Sequence, residues 1–380
     1  MKAVLFPGDR QIQIVDRPIP KIGYGEVLMK SRASAICRSD MGLYSGAYTV
    51  VGGDGAGKGQ IIPGHESCGE IVEVGPGVSH LKVGDRIAVH LAFGCGHCHH
   101  CLSGFTMLCP TWKCLGFDVD GGNADFVKLP AANALLLPDE ISFAAGAVMT
   151  DMIGSQYFLQ NKLHVAGNKR VAVIGLGPMG AAATLIAHGL GAEVIAIDIM
   201  QERLDFAKTL GADYALDSKN ADIKEKIMKI TKSAGVEVAI DCSGSPIGQN
   251  LALDIASKHG AVAFVGESSK TEINPSDQII RKLLTVVGGW YFPLGAWSEI
   301  CDFIVSRGLN VESLISHRFS LDQAEEAFAK FDRRETEKAD DPNDDVGQTF
   351  ESKTCGKEVF DVYEFRVFKQ TGRETFSTRR

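Results

Sequence analysis

The sequence predicts an α/β protein in which a mainly-β domain carries an inserted, doubly wound parallel sheet. Residues 1 to about 150 contain short apolar runs separated by Gly and Pro, such as EVLMKSRAS and GEIVEVG, which indicate strands and turns. From Lys169 onward, apolar strands such as VAVIGLG and EVIAIDI alternate with helical stretches such as AAATLIAHGLG and ERLDFAKTLGA. This alternation is typical of right-handed βαβ units and therefore of a parallel sheet.

The regular alternation ends near Trp290, where we expect the chain to return to the first domain. Residues 1–152 and 290–365 are therefore predicted to form the first domain, and 153–289 the second. Residues 339–355 are acidic and then polar, which predicts a solvated loop, whereas the following VFDVYEF alternates like a closing strand. For the basic, polar residues 366–380 we expect disorder, with a peripheral partner site as the alternative.

The composition favours a globular protein that acts on a small molecule. The chain has 380 residues, of which 45% are hydrophobic and 23% charged, enough for two domains with their own cores. A net charge of −8 argues against nucleic-acid or membrane partners. No long apolar run follows Met1, so we expect neither a signal peptide nor a membrane span. Ten cysteines without a secretion signal favour a reducing cytoplasm.

A cysteine-rich loop, FGCGHCHHCLSGFTMLCP, predicts a bound metal ion. Three thiols lie three residues apart and the fourth follows eight residues later, at Cys95, Cys98, Cys101 and Cys109. Four thiolates surround one zinc ion and leave no open position, which is typical of a structural site. The alternatives are a disulfide cluster or an iron–sulfur loop, although ferredoxins place the fourth cysteine closer to the third.

A glycine motif, VAVIGLGPMG, predicts a dinucleotide site, because it follows a buried strand and opens a helix. The first glycine makes a tight turn, the second lets the backbone approach pyrophosphate, and the third packs the helix on the sheet. The helix N-terminus favours the phosphate charge. The candidate cofactor-binding residues here are Gly175, Gly177, Pro178, Met179 and Gly180.

The next strand ends in Asp198, 23 residues after Gly175, about where a carboxylate binds ribose hydroxyls. A carboxylate there repels a 2′-phosphate and so favours NAD over NADP, while the alternative is a turn residue at a strand end. Arg203 is a candidate to flank the adenosine, or else a solvated helix charge. The segment GGDGAGKGQ at 52–60 resembles a phosphate-binding loop, but no strand and helix surround it, so we expect a flexible lid or turn-rich loop.

Two upstream segments, Cys37-Arg38-Ser39-Asp40 and Gly64-His65-Glu66, contain donors for a second metal site. A catalytic zinc needs three protein ligands and an open position, and Cys37 and His65 are suitable donors, although either alone is more often a buried core residue. The sequence resembles the zinc-containing medium-chain alcohol and polyol dehydrogenases. The motifs that carry this resemblance occur in the family's order: ICRSD, PGHESCGEIVEVG, VGDRIAVH, the cysteine loop, GLGPMG and Asp198. The resemblance covers residues 1 to about 338. It implies a GroES-like catalytic domain with an inserted Rossmann domain, two zinc ions per chain and NAD.

The resemblance also implies roles for the residues near the second metal site. Cys37 and His65 are the implied ligands of a catalytic zinc, and Glu66 and Asp40 are implied to orient those ligands. The third ligand is Cys, Glu or Asp within the family, and Asp151 in AVMTDMIGSQYF matches the branch that uses aspartate. The alternative for Asp151 is a carboxylate at a helix N-terminus, stabilised there by the helix dipole without metal.

By the same resemblance, the reaction is hydride transfer between an alcohol carbon and nicotinamide C4, with zinc lowering the pKa of the alcohol oxygen. Ser39 is implied to pass the proton through the nicotinamide ribose towards solvent. Gly42 stands where many family members have the histidine that ends this relay. The resemblance therefore leaves the proton exit of this chain undefined.

Four aromatic residues are candidate walls of a substrate pocket, with core packing as the alternative: Tyr44, Trp290, Tyr291 and Phe292. The aspartate-ligand branch often favours NADP and lacks the cysteine loop, so the substrate cannot be taken from either branch. We expect an NAD-dependent dehydrogenase of a secondary alcohol or polyol that forms a homodimer or homotetramer. The alternatives are a threonine-type or amino-alcohol dehydrogenase of the same family, or a non-catalytic NAD(H)-binding protein on the same scaffold.

Overall fold

The structure, a computed structural model, describes residues 1–46, 60–333, 348–351 and 363–364. The predictions of a lid at 52–59 and of a disordered tail at 366–380 lie outside these residues. Within them, no helix is both long and apolar enough to cross a membrane.

The first part of the chain is mainly β, as predicted. Alternating apolar residues of its strands point inward, so that Val27 and Met29 are fully buried in one core. Its strands are β1 (Lys2–Gly8), β2 (Gln11–Asp16), β3 (Glu26–Ile36), β4 (Glu66–Val74), β5 (Arg86–Val89), β6 (Ala92–Phe93), β7 (Lys113–Cys114), β8 (Phe126–Pro130) and β9 (Ala134–Leu136).

The second part contains a six-stranded sheet whose neighbouring strands are all parallel. Its strands are β10 (Arg170–Ile174), β11 (Glu193–Asp198), β12 (Tyr214–Asp217), β13 (Val236–Asp241), β14 (Ala256–Phe264) and β15 (Thr285–Gly288). The order β12-β11-β10-β13-β14-β15 reverses between β10 and β13. In doubly wound sheets, ligands bind at the carboxyl ends of the strands where this reversal occurs.

Short strands beyond this sheet return to the first one: β16 (Phe319–Ser320), β17 (Gln348–Glu351) and β18 (Tyr363–Glu364). Strand β17 lies between β16 and β3, and β18 pairs with β17. The prediction of a loop throughout 339–355 was wrong for 348–351, because the edge of β3 supplies backbone partners that local polarity does not reveal. The predicted closing strand is present at 363–364.

Ten helices occur among the described residues. They are α1 (Asp40–Ser45), α2 (His99–Leu102), α3 (Phe143–Val148), α4 (Gly154–Lys162), α5 (Pro178–Gly189), α6 (Gln201–Thr209), α7 (Ile223–Ile230), α8 (Pro246–Ile255), α9 (Trp297–Arg307) and α10 (Ala324–Asp332). A π-helical turn at Met149–Ile153 joins α3 to α4 without a break. Helix α4 packs on α5, so this continuous element connects the two sheets.

Candidate metal centres and nucleotide cleft

A cluster of four metal-binding side chains forms where the first sheet meets the π-helical turn. Cys37 directly follows β3, and Glu66 opens β4, with Ala35 and Glu66 paired across the two strands. The π-helical turn brings Asp151 to the same place. Donor atoms of Cys37, His65, Glu66 and Asp151 all lie within 4.8 Å of one another. Thiolate, imidazole and carboxylate at this separation fit a single zinc ion.

Asp40 supports this cluster from behind. Its Oδ2 accepts the backbone N–H of Cys37 at 2.8 Å, and its Oδ1 lies 3.2 Å from Nδ1 of His65. Asp40 and His65 are both fully or almost fully buried. A histidine that donates from Nδ1 to a carboxylate presents Nε2 as an acceptor, which is the form that binds a metal.

The cluster holds a dense set of ionisable groups in a buried place. Burial by itself lowers the pKa of His65, but Asp40, Glu66 and Asp151 raise it by more, to about 9. Burial and the neighbouring Asp151 raise the pKa of Glu66 well above its usual range. Burial also raises the pKa of Asp151. Three carboxylates around one imidazole favour a bound cation, because a cation offsets their mutual repulsion.

Two hydroxyl groups also reach the cluster. Ser39 Oγ lies 3.3 Å from Nε2 of His65, the nitrogen that faces the other donors. Ser155, which our sequence interpretation missed, donates from Oγ to Oδ1 of Asp151 at 3.4 Å. Ser155 follows Asp151 by four residues, and side chains at this spacing lie next to each other on a helix, so the sequence does carry a signal for this contact.

The cysteine loop forms a second cluster, as its spacing predicted. Sγ atoms of Cys95, Cys98, Cys101 and Cys109 lie within 4.8 Å of one another. Backbone N–H groups of Cys98 and Cys95 point at the Sγ atoms of Cys95 and Cys109, respectively, both at 3.4 Å. The N–H groups of Cys95 and Thr111 lower the pKa of Cys109 to about 6, and thiolate is the form that binds zinc.

Glycines leave room for this loop to close. A Cβ at Gly94 would lie 2.4 Å from Sγ of Cys101, so a larger residue there would displace a ligand. Gly96 has φ of +80°, a conformation that glycine adopts without strain. The loop therefore needs both glycines in addition to its four thiols.

The glycine motif lies at the reversal of the parallel sheet. Gly175 directly follows β10 with φ of +82°, and a Cβ there would lie 2.7 Å from the backbone of Ser243. A Cβ at Gly180 would lie 1.8 Å from the carbonyl oxygen of Gly175, so only glycine lets α5 pack so closely. Gly177 is the N-cap of α5, with Pro178 at its first position. Both Gly177 and Met179 line the cleft there.

Asp198 and Arg203 lie in the same cleft as the glycine motif. The carboxylate of Asp198 accepts the backbone N–H of Leu176 at 2.6 Å and that of Met200 at 2.9 Å, and Arg203 Nη1 lies 3.6 Å from its Oδ2. These contacts fix the carboxylate beside the end of β10. Cys242 and Ser243 also line the cleft, and our sequence interpretation missed them because they follow β13 without a motif.

The four candidate pocket aromatics have different surroundings. Tyr44 is buried against Phe6 and Phe328, so its proposed place in a pocket wall was wrong. Phe292 is also in a core, where it stacks on Trp297. The sequence alone does not show whether an aromatic side chain in a loop points into a core or into a pocket.

Tyr291 lies near the metal-binding cluster, and Trp290 contacts the Tyr291 ring. Burial raises the pKa of Tyr291 well above its usual range, and the charges of Asp151 and Cys37 raise it further. Trp290 is 46% exposed and meets Trp112 edge-on at 5.7 Å between ring centroids. Of the four aromatics, Tyr291 is therefore the one beside the cluster, and Trp290 packs on it with 5.0 Å between ring centroids.

Comparison with known families agrees with both parts of the chain. Residues 23–139 match the alcohol dehydrogenase GroES-like domain, and 178–306 match the zinc-binding dehydrogenase domain. The chain is 33% identical over 335 residues to an uncharacterized zinc-type alcohol dehydrogenase-like protein, YphC, of Escherichia coli K12, covering 87% of this chain and 95% of that protein. The chain belongs to the zinc-binding alcohol dehydrogenase family. The predicted family, fold class, zinc and dinucleotide cofactor are thereby confirmed.

Other family members carry more specific names. A sorbitol dehydrogenase of Bacillus subtilis is 32% identical over 337 residues, covering 87% of this chain and 93% of that enzyme. An L-threonine 3-dehydrogenase of Pyrococcus furiosus is 33% identical over 323 residues, covering 83% and 90%. The crystal structure of an alcohol dehydrogenase from Escherichia coli CFT073 with NADH aligns with a TM-score of 0.79 and 28% identity, covering 91% of this chain and 98% of that one. The protein is thus an oxidoreductase of the alcohol dehydrogenase family.

Proposed function

We propose that this protein transfers a hydride between a secondary alcohol or polyol and NAD, with a catalytic zinc bound by Cys37, His65 and Asp151. The observation that supports this proposal most strongly is the convergence of these three donors within 4.8 Å. Of the three, Asp151 lies on the helical element that continues into α4, and α4 packs against α5, the helix of the glycine motif. Cys37, His65 and Asp151 would hold a zinc ion and the glycine motif would hold a dinucleotide, on packed elements of one protein.

The donor chemistry supports zinc at both clusters. Three donors of mixed type suit a catalytic ion, whereas the four thiols from Cys95 to Cys109 suit a closed structural ion. When bound, zinc supplies a positive charge that lowers the pKa of an alcohol hydroxyl, and NAD supplies the hydride acceptor. Glu66 is close enough to serve as a fourth donor, and its negative charge would partly neutralise a bound zinc ion.

The protein's own residues supply orientation and a proton path. Asp40 fixes the backbone of Cys37 and the ring of His65. Ser39, 3.3 Å from Nε2 of His65, is placed to accept a proton from the substrate hydroxyl and to pass it outward. Gly42, in helix α1, has no side chain to continue this path. Water beyond Ser39 is therefore our proposed continuation.

Asp198 favours NAD. Its carboxylate is buried, held by two backbone N–H groups, and faces the cleft beside the glycine motif. A 2′-phosphate there would meet a fixed negative charge, whereas ribose hydroxyls can donate to it. Arg203, 3.6 Å away, orients the carboxylate and flanks the adenosine.

Trp290 and Tyr291 favour a substrate with an apolar or ring-shaped body. Both lie on the chain between the parallel sheet and α9, where Tyr291 is next to the metal-binding cluster and Trp290 packs on Tyr291. A threonine-type dehydrogenase is the second candidate, because a threonine dehydrogenase is as similar in sequence as the polyol enzyme. We further propose the domain boundaries 1–152, 153–289 and 290–365, a cytoplasmic location and a homodimer or homotetramer.

The first experiment measures zinc per chain together with reduction of NAD and NADP across secondary alcohols, polyols and threonine. About two zinc ions and turnover with NAD would support the proposal, and the preferred alcohol would separate the two candidates. One zinc ion and tight NADH binding without turnover of any alcohol would instead favour a non-catalytic NAD(H)-binding protein.

A variant then tests the third ligand. Asp151→Asn should lose zinc from the catalytic cluster and lose turnover while NADH affinity, followed by fluorescence, stays nearly unchanged. Asp205→Asn removes an exposed helix carboxylate and is the control, since it should change neither property. Unchanged zinc content and turnover in Asp151→Asn would place the third ligand elsewhere.

A further inference from the structure

A small group of buried polar side chains lies on β3, on β4 and in the loop before β8. It is separate from both cysteine- and histidine-containing clusters and from the nucleotide cleft. Ser34 on β3 and Ser67 on β4 are directly paired across the two strands, and both are completely buried. Asn123, also completely buried, approaches the same place from the loop before β8. These three residues come from three separate segments and meet in one interior space.

The polar atoms of this group lack partners. Ser34 Oγ, Ser67 Oγ, and both Oδ1 and Nδ2 of Asn123 have no hydrogen-bond partner among the residues that the structure describes. Leaving one such group unsatisfied costs about 1–3 kcal/mol. Four in one place therefore indicate that something else satisfies them.

Two glycines of the surrounding backbone lie against these polar groups. A Cβ at Gly64 would lie 2.4 Å from Asn123 Oδ1 and 2.7 Å from Ser34 Oγ. A Cβ at Gly122 would lie 2.8 Å from Ser34 Oγ and 2.9 Å from Ser67 Oγ. A side chain at either glycine would thus collide with these hydroxyl and amide groups.

We propose that Ser34, Ser67 and Asn123 bind an internal water molecule. The occupant must both donate and accept, because the site offers an amide N–H donor, an amide oxygen acceptor and two hydroxyls that can do either. Water meets this requirement and commonly makes about three hydrogen bonds in such sites. A monovalent cation accepts no hydrogen bond and would face the Asn123 amide donor unfavourably.

This water stabilises the segment that precedes His65. The loop of Asn123 is bonded to that segment through its backbone, since Gly122 N–H donates to Gly64 O at 2.7 Å and Asn123 N–H donates to Pro63 O at 3.0 Å. The water adds a connection from this loop to β3 and β4. The water then fixes β3, β4 and the loop of Asn123 relative to one another, next to the segment that leads into His65.

Crystallography on the unaltered protein, at a resolution that shows ordered water, is the primary test. We expect one water within hydrogen-bond distance of Ser34, Ser67 and Asn123. An empty space, or direct bonds among the three side chains, would overturn the proposal. Crystals soaked in rubidium would show an anomalous peak at this position if a monovalent cation were the occupant, which would also overturn it.

Variants test the site in solution. Because one water links both serines, the loss of thermal midpoint in the Ser34→Ala/Ser67→Ala double variant should be smaller than the sum of the two single losses. Additive losses would contradict a shared water. The control pair is Ser34→Ala with Ser103→Ala, whose hydroxyl is exposed and bonded locally to His99, and these losses should add.

Only the effect on the metal rests on the proposed function. Both serine variants should lose zinc to a chelator from the cluster containing His65 several-fold faster than the unaltered protein, while zinc in the cysteine loop is retained equally. An unchanged rate would contradict the stabilising role. Absence of zinc from that cluster in the unaltered protein would contradict the proposed function, and the crystallographic test of the water would still decide this inference.

Discussion

Asp40 Oδ1 lies 3.2 Å from Nδ1 of His65, and this contact determines which imidazole nitrogen faces the metal-binding cluster. With Nδ1 donating its proton to the carboxylate, Nε2 carries the free electron pair. The same carboxylate accepts the N–H of Cys37, so one side chain positions two of the donors.

Asp40→Asn should lower the zinc affinity of this cluster by about 10–100-fold, because an uncharged amide has one acceptor oxygen and cannot accept from both His65 Nδ1 and the Cys37 N–H. Competition with a chromophoric chelator measures the change. Asp118→Asn is the matched control, since Asp118 also accepts a cysteine N–H, that of Cys114, at 2.7 Å but contributes no donor to the cluster. Equal losses in both variants would mean that Asp40 has only a structural role.

The metal-free protein should lose stability as pH rises from about 6.5 to about 9. Although burial opposes it, Asp40, Glu66 and Asp151 together raise the pKa of His65 to about 9. A raised pKa stabilises the fold fully below the unfolded value of about 6.5, and this contribution disappears as His65 loses its proton. Calorimetry of chelator-treated protein across this pH range measures the effect.

His65→Asn removes the titrating group and should flatten that part of the stability profile. Zinc loading should have the opposite pH dependence, because the metal binds neutral imidazole and releases its proton. A metal-free profile that is the same with and without His65 would show that another group is responsible.

Cys101→Ser should remove one zinc ion and destabilise the protein by at least about 3 kcal/mol, because a closed four-thiolate site stabilises the folded loop. Elemental analysis and calorimetry measure the two effects. Cys37→Ser is the reciprocal control: it should also lose one zinc ion, with a smaller decrease in melting temperature and a complete loss of turnover. Wild-type melting of Cys101→Ser would contradict a structural ion.

Asp198→Asn should shift the ratio of kcat/KM values towards NADP by about tenfold, equivalent to about 1.4 kcal/mol, since it removes the charge that repels a 2′-phosphate. Asp217→Asn is the control, because Asp217 ends the neighbouring strand β12 in the equivalent register position. Steady-state kinetics with both cofactors measure the ratio. No shift in Asp198→Asn would assign cofactor choice to other residues.

The nucleotide cleft was predictable because its signals are local in sequence. Gly175, Gly180 and Asp198 each occupy a place that strand, turn and helix dictate. The cysteine loop was predictable for the same reason, since all four thiols lie within fifteen residues.

Features that depend on contacts between residues distant in sequence were harder to predict from the sequence. No local pattern marks the π-helical turn that carries Asp151, and Tyr44 is a core residue because Phe328, far along the chain, packs on it. Strand β17 was missed because its pairing with β3 is determined by the fold rather than by its own composition. Glu66 was assigned only an orienting role, yet the structure brings it among the donors.

The continuous helix through Met149–Ile153 links the metal-binding cluster to the helix that lines the nucleotide cleft. Asp151 lies near the middle of this helix, and both its π-helical turn and α4 contact α5, the helix that the glycine motif opens. A displacement of α5 on cofactor binding would therefore be transmitted to the carboxylate of Asp151. Cobalt in place of zinc would report this as a change in its visible absorption when NADH binds, so that the metal itself becomes the sensor of cofactor occupancy.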